Sequence, residues 1–478
     1  MNIPLTIFLI FSYIVSLKII SIYAFKKSSY SLSDYYLVDR KLKIFILLAT
    51  ILATTINGLA VTAVPAQIYE GGILFFVMYI VLAGAAVLMY IFGPKINSMG
   101  SKYNLITPAE LFYFAYKSYP LRILIAIICL VSVFPFLTIQ FSAIGKIMSF
   151  ASVGVLSYDF TIIITSLSVG IYLIWGGSRA VVWTDVFQGI LLVSILIITA
   201  FLFTNWSGGL ETSFTKVQSL IPEKLTINQN NQYIILDRVL SWSFAFFLWP
   251  QTFQRMFMAK DQNQIKKTSF FFWLVTLFTM TSILVIGVTS TANLANSGID
   301  KDQFVIAMFD KFWPIGSSFL ILLVFACGMS TIDSILLSIS SIISRDFTKQ
   351  FLRKNLSEKQ KFNNARIISV IVLIITTVFA LSSSGRGAIA PLVTIGASFA
   401  TLLFWPLLGV FYFKISRNWI FFTLILGLIT IVTTEFKLIQ HDLPYGSATL
   451  GFVVCLVSFL LGAIAFRLSK NNQKSVEK

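Results

Sequence analysis

The segment from Phe325 to Asp346, FACGMSTIDSILLSISSIISRD, joins the apolar character of a membrane span to a run of hydroxyls and a mid-segment carboxylate, Asp333. Ser330, Thr331, Asp333 and Ser334 are spaced i, i+1, i+3 and i+4. On an α-helix, positions i, i+3 and i+4 share a face. That face would present two hydroxyls and a carboxylate, with Thr331 about a quarter turn aside. Oxygen-only clusters suit a hard cation such as Na⁺, which takes several oxygens and needs no soft ligand. An ionisable residue inside a span is costly and marks a functional site by default. The remainder of the chain must then supply the opposing half of the site and hold both halves within the bilayer.

The composition is that of a membrane protein. Of the 478 residues, 57% are hydrophobic and 12% charged, against about one quarter charged in soluble domains. Apolar runs of about 20 residues recur along the whole chain, as in a polytopic helical protein. They do not alternate as barrel strands would. The net charge of +17 resides in short loops between spans, which is topology signalling and not a nucleic-acid surface. Cys129, Cys327 and Cys455 all lie in apolar stretches, with no disulfide framework or metal spacing. The first run, Ile3 to Ala24, lacks a basic n-region and reads as a retained span.

The fold class expected is all-α and polytopic, with about thirteen transmembrane helices. They are placed at 4–24, 44–68, 72–92, 122–147, 159–177, 181–204, 234–256, 269–293, 313–343, 367–383, 388–412, 419–434 and 446–466. With the N-terminus outside, the inward loops collect 27 of the 36 Lys and Arg, Arg179 and Arg255 among them. The positive-inside rule thus puts the N-terminus outside and the C-terminus inside. Gly71-Gly72 and GGSRA at 176–180 are short enough to form tight hairpins. The outward loop Ser207 to Tyr233 has room for a surface helix, and Thr107 to Tyr119 reads as an interfacial helix opening at Pro108. His441 reads as a solvated loop residue, and the tail from Arg467 as a charged, disordered end.

Spans two to six and seven to eleven match in spacing. Five is odd, so the second block is inverted relative to the first, an arrangement that sets solute and ions near the midplane on broken helices. The blocks are 44–206 and 234–413, with an extra span and inward loop at 1–43, an external loop at 207–233, and two spans and a tail at 414–478. Each block opens with a candidate break: Ala53 to Gly58, followed by Pro65, and Leu248 to Gln251. Gly, Asn and Pro there weaken the helix and free carbonyls to face an ion.

Five stretches in order resemble the sodium:solute symporter family: SLSDYYLVDRKL at 31–42, TPAEL at 107–111, WGGSRAVVWTDVFQG at 175–189, QRMFMAKD at 254–261 and MSTIDSILLSISSIISRDF at 329–347. The resemblance implies a LeuT-type core of five plus five inverted helices. It also implies a Na⁺ site made by the carbonyls of Ala53, Ile56 and Cys327 and the hydroxyls of Ser330 and Thr331. Some members carry a second cation site, for which the matching groups are Asp185, Ser330, Asp333 and Ser334. These groups could hold a second Na⁺, or Asp333 could take a proton. Alternatively Asp185 caps the sixth span, or Asp333 pairs with Arg179 or Arg255 as an inner gate.

The solute would bind at the breaks and on the third core helix. Candidates are Thr55, Asn57 and Gln67, then Gln140, then Trp249, Gln251 and Gln254, with Trp249 and Phe253 as lids. Each of these polar residues can equally serve as interhelical glue. Proline-transporting relatives have an aspartate where this chain has Thr55, which argues against an ammonium solute. Neutral donors and half-helix N-termini suit a small organic anion, such as a monocarboxylate.

The function expected is secondary transport in the cell membrane, with Na⁺ as coupling ion and a small-molecule solute, Na⁺ and the lipid bilayer as partners. No nucleic-acid partner and no obligatory protein partner is expected. An H⁺-coupled transporter and a membrane sensor on the same scaffold are the alternatives. No nucleophile or metal constellation supports an enzyme.

Overall fold

The computed structural model describes residues 2–152, 154–226, 229–299, 303–348, 356–386, 390–438 and 443–476; His441 lies outside them. The described residues are overwhelmingly helical, and among them ten helices are long and apolar enough to cross a membrane. The elements used below are α1 (Ile3–Phe25), α2 (Leu32–Leu37), α3 (Ile44–Thr55), α4 (Gly58–Gly71), α5 (Val77–Tyr103), α6 (Pro108–Tyr116), α7 (Tyr119–Ala151), α8 (Tyr158–Trp206), α9 (Leu210–Leu220), α10 (Gln229–Leu248) and α11 (Pro250–Met258). They continue as α12 (Gln262–Leu294), α13 (Phe304–Phe312), α14 (Gly316–Ile342), α15 (Glu358–Leu381), α16 (Ala390–Thr401), α17 (Phe404–Phe411), α18 (Arg417–Glu435) and α19 (Ser447–Val476).

The hydroxyl-rich helix α14 is the axis of the molecule. Its side chains are buried from Gly316 to Ile342, Phe319 excepted. A helix buried on nearly every face belongs at the centre of a bundle. It packs against α1, α3, α4, α7, α8, α11, α13 and α15, and runs on as a π-turn over Ile343–Thr348.

Both expected breaks are present. Helix α3 stops at Thr55 because Ile56 is extended (φ −92°, ψ 99°). Asn57 restarts the chain as α4, its Oδ1 accepting from the Ala60 N–H at 3.3 Å, a helix-opening cap. Helix α10 stops before Trp249, whose ψ is 141° ahead of Pro250, the first residue of α11. The proline ring excludes the α-conformation from the residue before it, so Pro250 ends one helix and opens the next. A third break was not foreseen. The described part of the 388–412 segment, from Ala390, holds two helices, α16 and α17, joined by Leu402 and Leu403, whose N–H groups donate to carbonyls three residues back. Pro406, with no N–H to continue the ladder, sits in the first turn of α17.

Gly177 divides α8 at the GGSRA motif (φ 50°, ψ −147°). A Cβ there would lie 2.5 Å from the Tyr35 ring and 2.7 Å from the Tyr35 carbonyl oxygen, so only glycine fits. Helix α9 lies in the long loop that follows α8, and α6 opens at Pro108 with a reciprocal Thr107–Glu110 capping box. Ala109, Leu111 and Phe112 of α6 are fully buried, so this helix is packed into the protein more deeply than an interfacial one. The tail also differs from expectation: α19 continues from the apolar span through Arg467 to Val476, and no Gly or Pro occurs between those two residues.

Candidate functional site

The α3 break faces α14 at the predicted hydroxyls. Ser330 Oγ lies 2.8 Å from the Ala53 carbonyl oxygen and 2.9 Å from that of Cys327. Thr331 Oγ1 donates to the same Cys327 carbonyl at 3.2 Å. Ser330 has one proton for two carbonyls, so the set holds more acceptor capacity than donors. Ala53 lies in the last turn of α3, whose carbonyls lack intrahelical donors. Ser330, Thr331, Ala53, Cys327 and Ile56 are all essentially buried. The four oxygens of Ala53, Cys327, Ser330 and Thr331 thus converge without formal charge, and Ile56 stands at the break itself. A neutral oxygen set binds a hard monovalent cation without clamping it.

One turn further along α14, the cluster is charged. Asp185, Asp333 and Ser334 come together as expected, but the fourth member is Arg255. Its Nη2 donates to Ser334 Oγ at 2.5 Å and to Asp185 Oδ2 at 3.2 Å. Its Nε donates to Thr50 Oγ1 at 3.1 Å, and Nη2 reaches Thr54 Oγ1 at 3.5 Å. The Thr50 hydroxyl donates to Asp185 Oδ2. Asp333 accepts from the Tyr172 hydroxyl at 2.7 Å and from Ser334 at 3.2 Å. The side chains of Arg255 and Asp185 are 1% and 0% exposed, so this pair ties α3, α8, α11 and α14 in a place water does not reach.

Three expectations are corrected here. Asp185 is no helix cap, since it lies within α8 and binds Thr50 and Arg255. Asp333 pairs with neither arginine: Arg255 takes Asp185, and Arg179 takes Asp34, with Asp39 3.4 Å away. Arg255 itself, counted as an inward-loop charge, is buried in α11. It could have been found as the one arginine inside the predicted 234–256 span apart from Arg238, because a charge in a span needs a partner.

The motifs hold this cluster in place. Asn97 on α5 donates to the Met256 and Ala259 carbonyls, each at 2.9 Å. Arg40 donates to the Phe257 carbonyl at 3.1 Å and the Leu105 carbonyl at 2.6 Å. Burial lowers Arg40 to about 10, with Glu110 opposing the shift, so it stays cationic at neutral pH. The Leu42 N–H donates to Met258 and the Lys260 N–H to Leu42 at 3.1 and 2.9 Å, joining the linker before α3 to the end of α11. Tyr36 reaches Ser340 of α14 at 2.9 Å, and Tyr35 donates to Ser369 of α15 at 3.1 Å. Burial pushes the Tyr35 phenol up to about 12, which keeps it a neutral donor. At the end of α14, Glu110 and Asp346 hold Arg122 and Arg345.

The solute candidates divide. Gln140 is fully buried, and neither atom of its amide has a partner. One turn earlier on α7, Phe136 stacks on Trp249, ring centroids 4.6 Å apart. Trp249 Nε1 and Gln251 Oε1 are likewise buried without partners. Such orphans call for a water or ligand. Gln254 is half used: its Nε2 donates to Ser341 at 2.6 Å while Oε1 has no partner. Thr55 donates back to the Ile51 carbonyl at 2.7 Å, which removes its hydroxyl proton from a solute. Asn57 caps α4, and Gln67 is half-buried on α4. Phe253 packs on Phe247 and Phe257, as core and not as a lid over Trp249.

Comparison with known proteins places this geometry. The Sodium:solute symporter family model matches residues 35–427. The sodium/pantothenate symporter of Escherichia coli (strain K12) is 24% identical, with 97% of this chain and 96% of that protein covered. The sodium/proline symporter of Staphylococcus aureus (strain JH9) is 25% identical, with 84% and 81% covered. A solved structure of a Na⁺-coupled sialic acid symporter, substrate-bound and outward-open, superposes with a TM-score of 0.80 at 18% identity, covering 97% of both chains. That likeness carries the fold, and the family match carries the class of protein: a multi-pass membrane transporter and not an enzyme. The break at Ile56 facing the hydroxyls of α14 is therefore a feature of a chain that belongs to the sodium:solute symporter family and has its LeuT-type fold.

Proposed function

We propose that this protein couples Na⁺ entry to the uptake of a small organic solute by alternating access. The observation that carries the reading is the Ser330 hydroxyl bridging the Ala53 and Cys327 carbonyls. Na⁺ held by Ala53, Ile56, Cys327, Ser330 and Thr331 would replace that bridge, tying the α3 break to α14. Loss of the ion would release the tie. Coupling then follows if ion and solute prefer the same conformer. The chain would cross the bilayer about thirteen times, N-terminus outside, with inverted five-helix blocks at 44–206 and 234–413.

The solute position is assigned to the unpartnered groups of Gln140, Trp249 and Gln251, at the start of α11, with Gln254, Asn57, Gln67 and Thr55 as flanking candidates. Neutral donors beside half-helix N-termini favour a carboxylate-bearing solute, and the pantothenate-transporting relatives fit that chemistry. The proline-transporting relatives keep a zwitterion as the rival. A second reading, proton use at Asp333, is supported by that residue's hydroxyl-only partners, Tyr172 and Ser334.

Uptake by proteoliposomes from a panel of radiolabelled carboxylates, amino acids, sugars and vitamins tests this. A solute accumulated only under an inward Na⁺ gradient is expected. Accumulation under a pH gradient without Na⁺ would replace the Na⁺ reading with the proton one, and gradient-independent equilibration would overturn both.

A further inference from the structure

We propose that the junction where α5, α6 and α17 end and α18 begins binds the headgroup of an anionic phospholipid, through Lys95, Lys102, Lys117, Lys414 and Arg417. None of these residues lies in the stretches that mark the family, and the site is independent of which ion or solute is carried. One continuous set of contacts gathers the cations. Lys95 Nζ stands over the Tyr412 ring, 3.7 Å from its centroid. Lys102 Nζ lies 5.3 Å from the Tyr103 centroid, and Tyr103 stacks on Phe114 at 3.6 Å. Lys117 Nζ in turn lies 4.1 Å from the Phe114 centroid, and Arg417 Nη1 donates to the Lys117 carbonyl at 3.4 Å. Tyr116 fixes α6 to α17 by donating to the Pro406 carbonyl at 2.9 Å. Lys414 lies in the link between α17 and α18.

No carboxylate of the neighbouring chain answers these charges. Glu110 is the only acidic residue between positions 71 and 158, and none occurs from 387 to 434. Glu110 is already held by Arg122 and Arg345. The lysines rest instead on ring faces, which attract a cation yet leave its charge uncompensated. Lys102, Lys117, Lys414 and Arg417 are exposed. Among the described residues Arg417 spends a single N–H on a protein acceptor, out of the five a guanidinium carries. The junction also lies at headgroup depth: apolar spans end at Tyr103 and Phe411, and the next starts at Arg417. Tyr103, Tyr412 and Phe413 are exposed there, as aromatic residues are at a bilayer interface. A soluble anion would meet only the cations, whereas a phospholipid also covers the rings with its glycerol and upper acyl chains. Positive charge beside a span sets orientation by number alone. A basic pocket between span ends goes further and recognises an anionic headgroup.

Pyrene-labelled phosphatidylglycerol, titrated into the purified full-length protein in an uncharged detergent, tests this by energy transfer from tryptophan. The native protein should bind it, and unlabelled phosphatidylglycerol should displace it where phosphatidylcholine at the same concentration does not. Lys117→Gln with Arg417→Gln should weaken binding about 25-fold, roughly fivefold for each charge. Lys117→Arg with Arg417→Lys keeps both charges and should bind like the native protein. Lys26→Gln with Lys27→Gln removes as much charge from the end of α1 and should also bind like the native protein. Equal displacement by phosphatidylcholine would overturn the proposal. So would an unchanged affinity in the folded Lys117–Arg417 neutral pair, or an equal loss in both neutral pairs, which would report net charge alone. Displacement by inorganic phosphate would make this a soluble-anion site and overturn the lipid assignment. All of these outcomes leave the symport reading standing, because the assay contains neither a Na⁺ gradient nor a solute.

Discussion

Two layers of α14, one helical turn apart, are built on opposite plans. The Ser330–Thr331 layer meets α3 through carbonyls and hydroxyls alone. The Ser334 layer meets the same helix through a buried ion pair and its hydroxyl collar. The first layer joins α3 to α14 alone, and the second adds α8 and α11 to the same two helices, so the difference is one of strength and exchange. A neutral oxygen set offers a modest grip that an ion can enter and leave. A carboxylate–guanidinium pair out of water is costly to form and costlier to break by halves, because removing one member strands the other charge. The first layer is suited to a transient contact, the second to a permanent one.

The contrast is attacked most strongly at Asp185. Asp185→Ala leaves Arg255 buried and unpaired, and should lower stability by about 3–5 kcal/mol, read as a large fall in the melting temperature of the purified protein. Adding Arg255→Met should recover most of that loss. Native-like melting of the single variant would show that the pair is not a structural tie. Ser330→Ala comes next. It removes one ligand and the Ala53–Cys327 bridge, and should raise the Na⁺ concentration for half-maximal uptake about tenfold, the equivalent of roughly 1.4 kcal/mol, with little change in melting. Thr331→Ala should follow in the same direction with a smaller rise, since its hydroxyl reaches only the Cys327 carbonyl at 3.2 Å. Unchanged Na⁺ dependence in both hydroxyl variants would remove the ion from this layer. Thr55→Ala should do least, within about twofold in Na⁺ dependence, because a hydroxyl bonded back to its own helix contributes little elsewhere.

Much of this contrast could be read before the fold was known. The spacing of Ser330, Thr331, Asp333 and Ser334 put them on a shared helix, and Asn57-Gly58 and Pro250 marked the breaks that face it, because these residues act through local backbone geometry. Arg255 escaped for a long-range reason. It lies at the end of an apolar run, where charge counting treats it as a loop residue, and only the convergence of α3, α8 and α14 shows its partners. Tyr172 was missed likewise, being one aromatic among many until α8 brings its hydroxyl to Asp333. The division of the 388–412 segment was missed because Pro406 lies four residues past the point where the helix gives way, and a proline's effect on the preceding turn is easily read as acting at the proline alone.

The pairing of Leu42 with Met258 and Lys260 is made by main-chain atoms. Such a joint is indifferent to which side chains are present, so a complete alanine scan of 41–43 and 258–260 would pass over it in silence. Replacing the peptide N–H of Leu42 by an ester oxygen, or introducing a proline there, would uncouple the approach to the first broken helix from the exit of the second while leaving every side chain of the Ser330 and Ser334 layers untouched.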